Sequence, residues 1–226
     1  MRELRTKASH RGERPTALRV ILAVLVTALS TGLVAWGASA ETFFSAGAGA
    51  NVPWEGDTGY SLTGSLGTTL FTDTARLAGE FEFRDSETPL DLSSISPGLG
   101  TIGMSVKTYD LRAIARWVVF PHSITPYVGI GAGFKLVAAD DRELKQALAD
   151  ALSIPISTLG DTQSYGVSAG FLGLAGLEVP LFNEHFALYA EIRADYTWEL
   201  TDGVSRVLDN DNLGSFTGMG GVRLRF

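Results

Sequence analysis

Cysteine is absent from the 226 residues, and histidine occurs only three times. Without cysteine, neither a disulfide nor a thiolate metal site can support the fold, and no cofactor or metal site is indicated. After residue 40 no apolar run approaches the roughly 18 residues that a membrane-spanning helix requires. Basic residues are also scarce there, with 12 Lys/Arg against 23 Asp/Glu and a net charge of −11. This balance argues against binding of nucleic acid, which requires a basic surface.

The first 40 residues have the parts of a secretory signal peptide. Five Lys/Arg among the first 14 residues precede an apolar run over Val20–Leu29. Ala38 and Ala40 occupy the two small positions of a cleavage site, so Glu41 is the expected mature N-terminus. An uncleaved anchor helix over the same stretch is the alternative. The predicted organisation is a signal peptide at 1–40 and one domain at 41–226.

Residues 185–199 alternate in character over the whole stretch. Every even position is apolar or aromatic, while Glu191, Arg193 and Asp195 stand at odd positions. A period of two places the two kinds of side chain on opposite faces of one β-strand. A tilted transmembrane strand of a barrel with a polar interior has this length and pattern. A long edge strand of a soluble sandwich is the alternative.

Seven further segments have strand character. The predicted strands are 41–50, 60–71, 75–85, 105–119, 125–137, 164–179, 185–199 and 213–226. Their connections are alternately long and short, which in an up-and-down barrel places all short turns at one rim and all long loops at the other. The sequence therefore predicts an all-β fold, an eight-stranded antiparallel up-and-down transmembrane β-barrel.

The third long loop contains a segment with helical spacing. Leu144 and Leu148 lie on one stripe of the segment from Asp140 to Leu152. Asp140 and Glu143 form a start that resembles a capping box. We expect this short helix to cap the barrel mouth; a partner surface and an interfacial helix are the alternatives.

The predicted inward faces carry charges of both signs. Eight strands enclose a space just wide enough for side chains, so these charges must pair, because an unpaired buried charge is costly. We predict a lumen charge network that plugs the barrel, with a narrow or gated pore as the alternative. The network comprises Glu80, Glu82, Arg84, Asp110, Arg112, Arg116, Glu191, Arg193, Asp195, Arg223 and Arg225. The same faces also carry Arg76, Lys135, Glu178 and Glu199.

The strand at 185–199 suggests partners within this network. Its inward Glu191 and Asp195 need residues of opposite charge on other strands. The strand at 213–226 is its neighbour, so Arg223 and Arg225 are the candidate partners if the register between the two strands allows.

Three sequence patterns partly resemble phosphate-binding, calcium-binding or catalytic motifs, but a structural explanation is favoured for each. Gly129–Gly133 has glycine at every second position but lacks the strand-then-helix context of a phosphate loop, so inward glycines that make room for neighbours are favoured. Asp209–Gly214 resembles half of a calcium loop without its final glutamate; loose divalent binding at the acidic loops is the alternative. His122, beside Ser123, and His185 lack a third group for catalysis, so no catalytic residue is predicted.

Aromatic residues fall into two groups along the strands, as in the interfacial girdles of membrane proteins. Trp117, Phe120, Phe182 and Phe186 lie near the short turns, and Tyr60, Phe134, Tyr165, Tyr196 and Trp198 near the long loops.

The chain resembles the small outer-membrane barrels of the OmpA, OmpX and OmpW type. The resemblance rests on this topology, on the strand at Pro126–Gly133 and on the carboxyl end of the chain. Gly221, Val222, Leu224 and Phe226 resemble the terminal signal of these proteins, in which alternating apolar residues lead to a final aromatic. The resemblance implies location in the bacterial outer membrane and contact with its lipid and lipopolysaccharide. It also implies delivery by periplasmic chaperones and recognition of this end by the barrel-assembly machinery.

The resemblance implies a non-enzymatic role, structural or at the cell surface, with adhesion through the loops as one form of it. A narrow pore or carrier for small or hydrophobic solutes is the second hypothesis. A barrel enzyme that modifies lipid is the third.

Overall fold

Eight strands make up most of the chain in a computed structural model of the protein. They are β1 (Thr42–Pro53), β2 (Gly59–Leu70), β3 (Ala75–Asp91), β4 (Thr101–Val118), β5 (Thr125–Asp140), β6 (Gln163–Pro180), β7 (Phe186–Glu199) and β8 (Ser215–Arg225). Between β5 and β6 lie helix α1 (Arg142–Leu152) and a 3₁₀-helix (Ile156–Leu159).

The structure describes 41–54, 57–70, 74–91, 101–120, 123–140, 142–159, 163–181, 185–200 and 214–226. The predicted signal peptide, with its cleavage site at Ala38 and Ala40, lies outside these residues. His122 and the acidic loop around Asp209 lie outside them as well.

The eight strands form one closed barrel. Each strand pairs antiparallel with the next, and β1 pairs with β8, where Phe44 lies opposite Leu224. This topology confirms the predicted all-β, eight-stranded, up-and-down barrel. The connections after β2, β4 and β6 are short and share one rim, here called the short-turn rim. The connections after β1, β3, β5 and β7 share the opposite rim, the long-loop rim.

Alternation along each strand separates the barrel interior from its outer wall. On β7, Glu191, Arg193 and Asp195 are buried. Ile192, which lies between the first two, and Tyr196, which follows the third, are exposed. Successive side chains of a strand point to opposite faces of the sheet, so the period of two in the sequence becomes a charged interior and an apolar exterior.

The β3–β4 hairpin is longer than predicted. The segment from Ser86 to Met104 was expected to be a loop, but Ser86–Asp91 pairs with Thr101–Val106. Regular pairing of β2 with β3 ends at Asp85, and the backbone N–H of Asp57 donates one further hydrogen bond to the carbonyl of Glu87 at 2.8 Å. Beyond this contact the extension is a two-stranded ribbon. Proline lacks an N–H donor and is tolerated in an edge strand, which is how Pro89 can lie within the strand.

Helix α1 begins two residues later than predicted, because Asp140 is the last residue of β5. The Asp140 carboxylate accepts a hydrogen bond from the backbone N–H of Arg142 at 3.1 Å and so caps the helix. The helix packs against β4, and its Ala149 is buried. None of the helices in the described part of the chain is long and apolar enough to cross a membrane.

Candidate functional site

The barrel interior is the candidate site, because it gathers nearly all the buried charge. Ten of the eleven residues of the predicted lumen charge network are buried, and the Arg225 side chain is 21% exposed. They form three groups of ion pairs, which follow one another from the long-loop rim to the short-turn rim.

The long-loop cluster consists of Glu82, Arg84, Asp110, Arg112 and Asp195. Arg84 bonds Glu82 at 2.8 Å and also contacts Asp195. Arg112 contacts Asp110 at 2.5 Å, Glu82 at 3.0 Å and Asp195 at 3.3 Å. Because the three carboxylates come from β3, β4 and β7, the two arginines of this cluster tie opposite sides of the barrel together.

The middle cluster is centred on Arg193 of β7. Its guanidinium bonds Glu80 and Glu191, each at 2.5 Å, and lies 3.3 Å from Glu82. Arg116 completes the cluster, at 3.2 Å from Glu80 and 3.3 Å from Glu191. Glu82 belongs to both clusters, so the ion pairs form one continuous network across this part of the lumen.

The short-turn cluster is built around a single carboxylate, that of Glu178 on β6. It bonds Arg76 at 2.7 Å and also contacts both Arg223 and Arg225. Arg76 and Glu178 were recognised as inward residues in the sequence, but they were not included in the predicted network.

Arg223 and Arg225 are candidate partners of Glu191 and Asp195 only if the register allows, and the register excludes this pairing. Met219 lies opposite Glu191, whereas Arg223 lies opposite Ala187. Arg223 is therefore four residues nearer the short-turn rim than Glu191, or roughly 13 Å along the strand.

The lumen also has an apolar layer, which was not predicted from the sequence. Ile114, Tyr127, Leu172 and Leu174 are buried together inside the barrel. Their inward positions follow from the same period of two that placed the charges. The signal was present at Ile114, which lies between Arg112 and Arg116 on the inward face of β4.

Glycines on β5 leave room for the larger side chains of this interior. A Cβ atom added to Gly129 would lie 3.2 Å from Cγ of Arg116 and 3.0 Å from Cδ1 of Leu174. The glycine repeat thus makes space for neighbours inside a strand, in a context unlike that of a phosphate loop.

The outer wall is apolar between two groups of exposed aromatic residues. Near the short-turn rim Trp117 and Phe120 are exposed; Phe182 lies outside the described residues. Near the long-loop rim the ring centres of Phe171 and Trp198 are 5.4 Å apart. The exposed aromatic residues of this second group include Tyr60, Phe134, Tyr165, Tyr196 and Trp198.

The residues of the predicted assembly signal lie on β8 and at its end. Gly221, Val222 and Leu224 pair with β1, and Phe226 follows the strand, 74% exposed on the outer wall at the short-turn rim. Recognition of this end by an assembly machinery stays a prediction.

Metal and catalytic groups give no second candidate site within the described ranges. They contain no group of three or more His, Cys, Asp or Glu arranged to hold a metal ion. His185 lies in the turn before β7, at the short-turn rim.

Comparison with known proteins supports the fold. No protein-family model and no curated protein matches the chain. Among solved structures, Neisserial surface protein A has 18% identity and a TM-score of 0.55, with 82% of this chain and 97% of that chain covered. Ail, the attachment invasion locus protein of Yersinia pestis, has 15% identity and a TM-score of 0.45, covering 84% and 100%.

The N-terminal β-barrel domain of Pseudomonas aeruginosa OprF has 18% identity and a TM-score of 0.40, covering 81% of this chain and 97% of that domain. The likeness to Neisserial surface protein A and the closed eight-stranded topology confirm the predicted resemblance at the level of the fold. The chain has the fold of the small eight-stranded outer-membrane β-barrels.

Proposed function

We propose that this protein is a non-enzymatic barrel of the bacterial outer membrane with a structural and surface role, and that ion pairs plug its lumen. The observation that carries the proposal is the continuous network from Asp195 through Arg112, Glu82 and Arg193 to Glu191. A buried network of this density leaves little room for solute.

The outer wall supports the membrane location. Exposed Leu62, Ile130 and Ile192 lie on it between the two groups of aromatic residues. An apolar band between aromatic girdles is how a transmembrane barrel meets lipid and the two interfaces. We propose that the wall contacts outer-membrane lipid and lipopolysaccharide. We also propose that periplasmic chaperones and the barrel-assembly machinery deliver the chain to that membrane and insert it.

The composition of the long loops supports the surface role and narrows the partners that fit it. The connections at 54–58, 92–100, 141–162 and 200–214 together contain nine Asp/Glu and three Lys/Arg. Such loops repel polyanions and attract cationic surfaces or divalent cations. Divalent cations would also allow contact with the phosphates of lipopolysaccharide.

Thiol labelling tests both parts of the proposal, since the chain has no cysteine of its own. Asp57→Cys introduces a thiol at the long-loop rim, and Ser168→Cys introduces one in the lumen. A membrane-impermeant maleimide added to intact cells should label the first variant and leave the second unlabelled. Labelling of Ser168→Cys in the folded protein would contradict the plug. Labelling of that variant in urea shows that its thiol can react.

A narrow pore is the second candidate, and unpartnered hydroxyl groups in the lumen favour it. The hydroxyls of Ser61, Thr108, Ser168 and Thr197 are buried without a hydrogen-bond partner in the described structure. Buried polar groups normally bond to protein or to water, so water in parts of the lumen would satisfy them. The labelling experiment separates the candidates, because a continuous water path would expose Ser168→Cys.

A further inference from the structure

Arginines outnumber carboxylates at one end of the lumen. In the short-turn cluster Arg76, Arg223 and Arg225 all contact Glu178, the only carboxylate among the described residues that pairs with them. The cluster therefore has two more positive than negative charges.

The remainder of the lumen network is balanced. Five carboxylates in the long-loop and middle clusters face four arginines and the buried Lys135, which lies opposite Asp110 in the register. The balanced part cannot neutralise the short-turn cluster, because its own charges are already matched. Among the described side chains of the three clusters and Lys135, the excess positive charge is thus confined to the short-turn cluster.

A buried excess of charge is costly unless a counter-ion offsets it. Arg76 and Arg223 are almost entirely removed from solvent, and only Arg225 is partly exposed.

Arg223 supplies a second, independent observation. Its side chain is 0% exposed, yet Nε and Nη2 have no hydrogen-bond partner in the described structure. Its guanidinium carbon lies 5.2 Å from the ring centres of Phe43 and Tyr189 and 5.6 Å from that of Tyr127. The rings stabilise the cation, but they leave the directional N–H donors without an oxygen acceptor.

Oxyanions are the ligands that complement this arrangement. A guanidinium presents a planar fork of N–H donors, which matches the paired oxygens of a phosphate or carboxylate. Arg225 lies two residues closer to the rim than Arg223 on the same strand, and its partial exposure provides access from that side. Glu178 already occupies one side of the cluster, so an incoming anion would share the arginines with it.

We propose that the short-turn cluster is a binding site for a phosphate-class oxyanion at the short-turn end of the lumen. The site goes beyond the proposed plug and surface role and depends only on the barrel fold. Two sources offer the same chemistry, namely free phosphate and the phosphate of a phospholipid headgroup at the adjacent membrane surface.

Titration calorimetry of the detergent-solubilised chain with inorganic phosphate, at constant ionic strength in chloride, tests the proposal. The wild type should bind one phosphate, and Arg225→Gln should bind it at least about tenfold more weakly, because a charge-assisted hydrogen bond is lost. Lys107→Gln, which removes an exposed lysine from the outer wall, should bind as the wild type does. Equal binding by wild type and Arg225→Gln, or none by the wild type, would overturn the proposal.

Two further sets of measurements accompany the titration. Heat-modifiable gel mobility shows whether each variant is folded, and Arg225→Lys, which keeps the charge but loses the fork, should fall between wild type and Arg225→Gln. Nanodiscs separate the two sources. If the headgroup phosphate is the ligand, free phosphate should bind more weakly in phosphatidylcholine nanodiscs than in a phosphate-free maltoside detergent; if free phosphate is the ligand, both environments should give the same affinity.

Discussion

Single arginines connect several strands in this barrel. Arg193 contacts carboxylates of both β3 and β7, since it bonds Glu80 and Glu191 and approaches Glu82. The planar fork of arginine allows several contacts from one side chain, whereas lysine presents a single point of charge. The stability of the network therefore depends on a few such residues.

Arg193→Met should lower the free energy of unfolding by about 3–5 kcal/mol, because it leaves buried carboxylates without their partner while keeping much of the side-chain volume. Lys107→Met removes an exposed charge and should change it by less than about 1 kcal/mol. Urea unfolding in lipid vesicles measures both. Equal stability of the two variants would show that the ion pairs do not hold the barrel together.

Gly129→Ala and Gly173→Ala form a matched pair on the inner and outer faces of the wall. A Cβ at Gly129 would lie 2.6 Å from the carbonyl oxygen of Ala115, so this variant should lose about 1–3 kcal/mol. A Cβ at Gly173 meets nothing within 4 Å, so that variant should stay within about 0.5 kcal/mol of the wild type. The same urea titration compares them, and a larger loss at Gly173 would contradict the assigned faces.

The sequence predicted which side chains face inward but only part of their pairing. A period of two is enough to place Glu191 and Arg193 inside. Pairing depends on the relative shift of neighbouring strands and on reach across the lumen, neither of which is encoded in the pattern of one strand. This is why the sequence offers Arg223 only as a candidate partner for carboxylates of β7, whereas it contacts Glu178 of β6.

The β3–β4 ribbon and α1 extend the protein beyond the barrel. Met104 and Val106 of the ribbon are buried, as are Val137 and Ala139 at the end of β5. Ala149 of α1 is buried as well, and the helix packs against β4. That the helix caps the barrel mouth stays a prediction.

The ribbon was missed because Ser, Pro and Gly dominate the sequence between Ser86 and Met104, and such composition is typical of loops. A strand with one paired edge tolerates this composition better than a strand paired on both sides. The helix, in contrast, was predictable from its spacing and its cap, and only its first residue was misplaced, because β5 extends to Asp140.

Asp140→Ala should weaken the start of α1 by about 1 kcal/mol through loss of the cap. Amide hydrogen exchange of residues 142–152 should then be roughly fivefold faster, since exchange reports local opening. Asp140→Asn, which retains a capping oxygen, should exchange almost as slowly as the wild type. Unchanged exchange in Asp140→Ala would mean that tertiary packing alone holds the helix.

The barrel separates a charged interior from an apolar wall with aromatic residues near both rims. Trp117 lies toward the short-turn rim, and Trp54 and Trp198 lie toward the long-loop rim. Trp54 is close to Tyr196, with ring centres 5.8 Å apart. The two ends of the barrel wall should therefore meet the two membrane interfaces.

Tryptophan fluorescence in vesicles of brominated lipid tests this orientation. Variants that retain only Trp117 or only Trp198 should be quenched more by bromines near the headgroups than by bromines at the bilayer centre. Leu66 of β2, on the exposed wall away from the aromatic rims, provides the contrast, and Leu66→Trp should be quenched more deeply in the bilayer. Strongest central quenching of Trp117 or Trp198 would contradict the interfacial bands.

A continuous network of buried ion pairs is proposed to close the lumen of this barrel. Single-channel recording of the folded wild-type chain in planar bilayers, in molar potassium chloride, tests it most directly. A porin recorded in parallel shows that insertion would be detected. The closed lumen predicts no stable current steps from the inserted protein. Reproducible, ohmic steps from the wild type would show a water-filled path through the network and would contradict the claim.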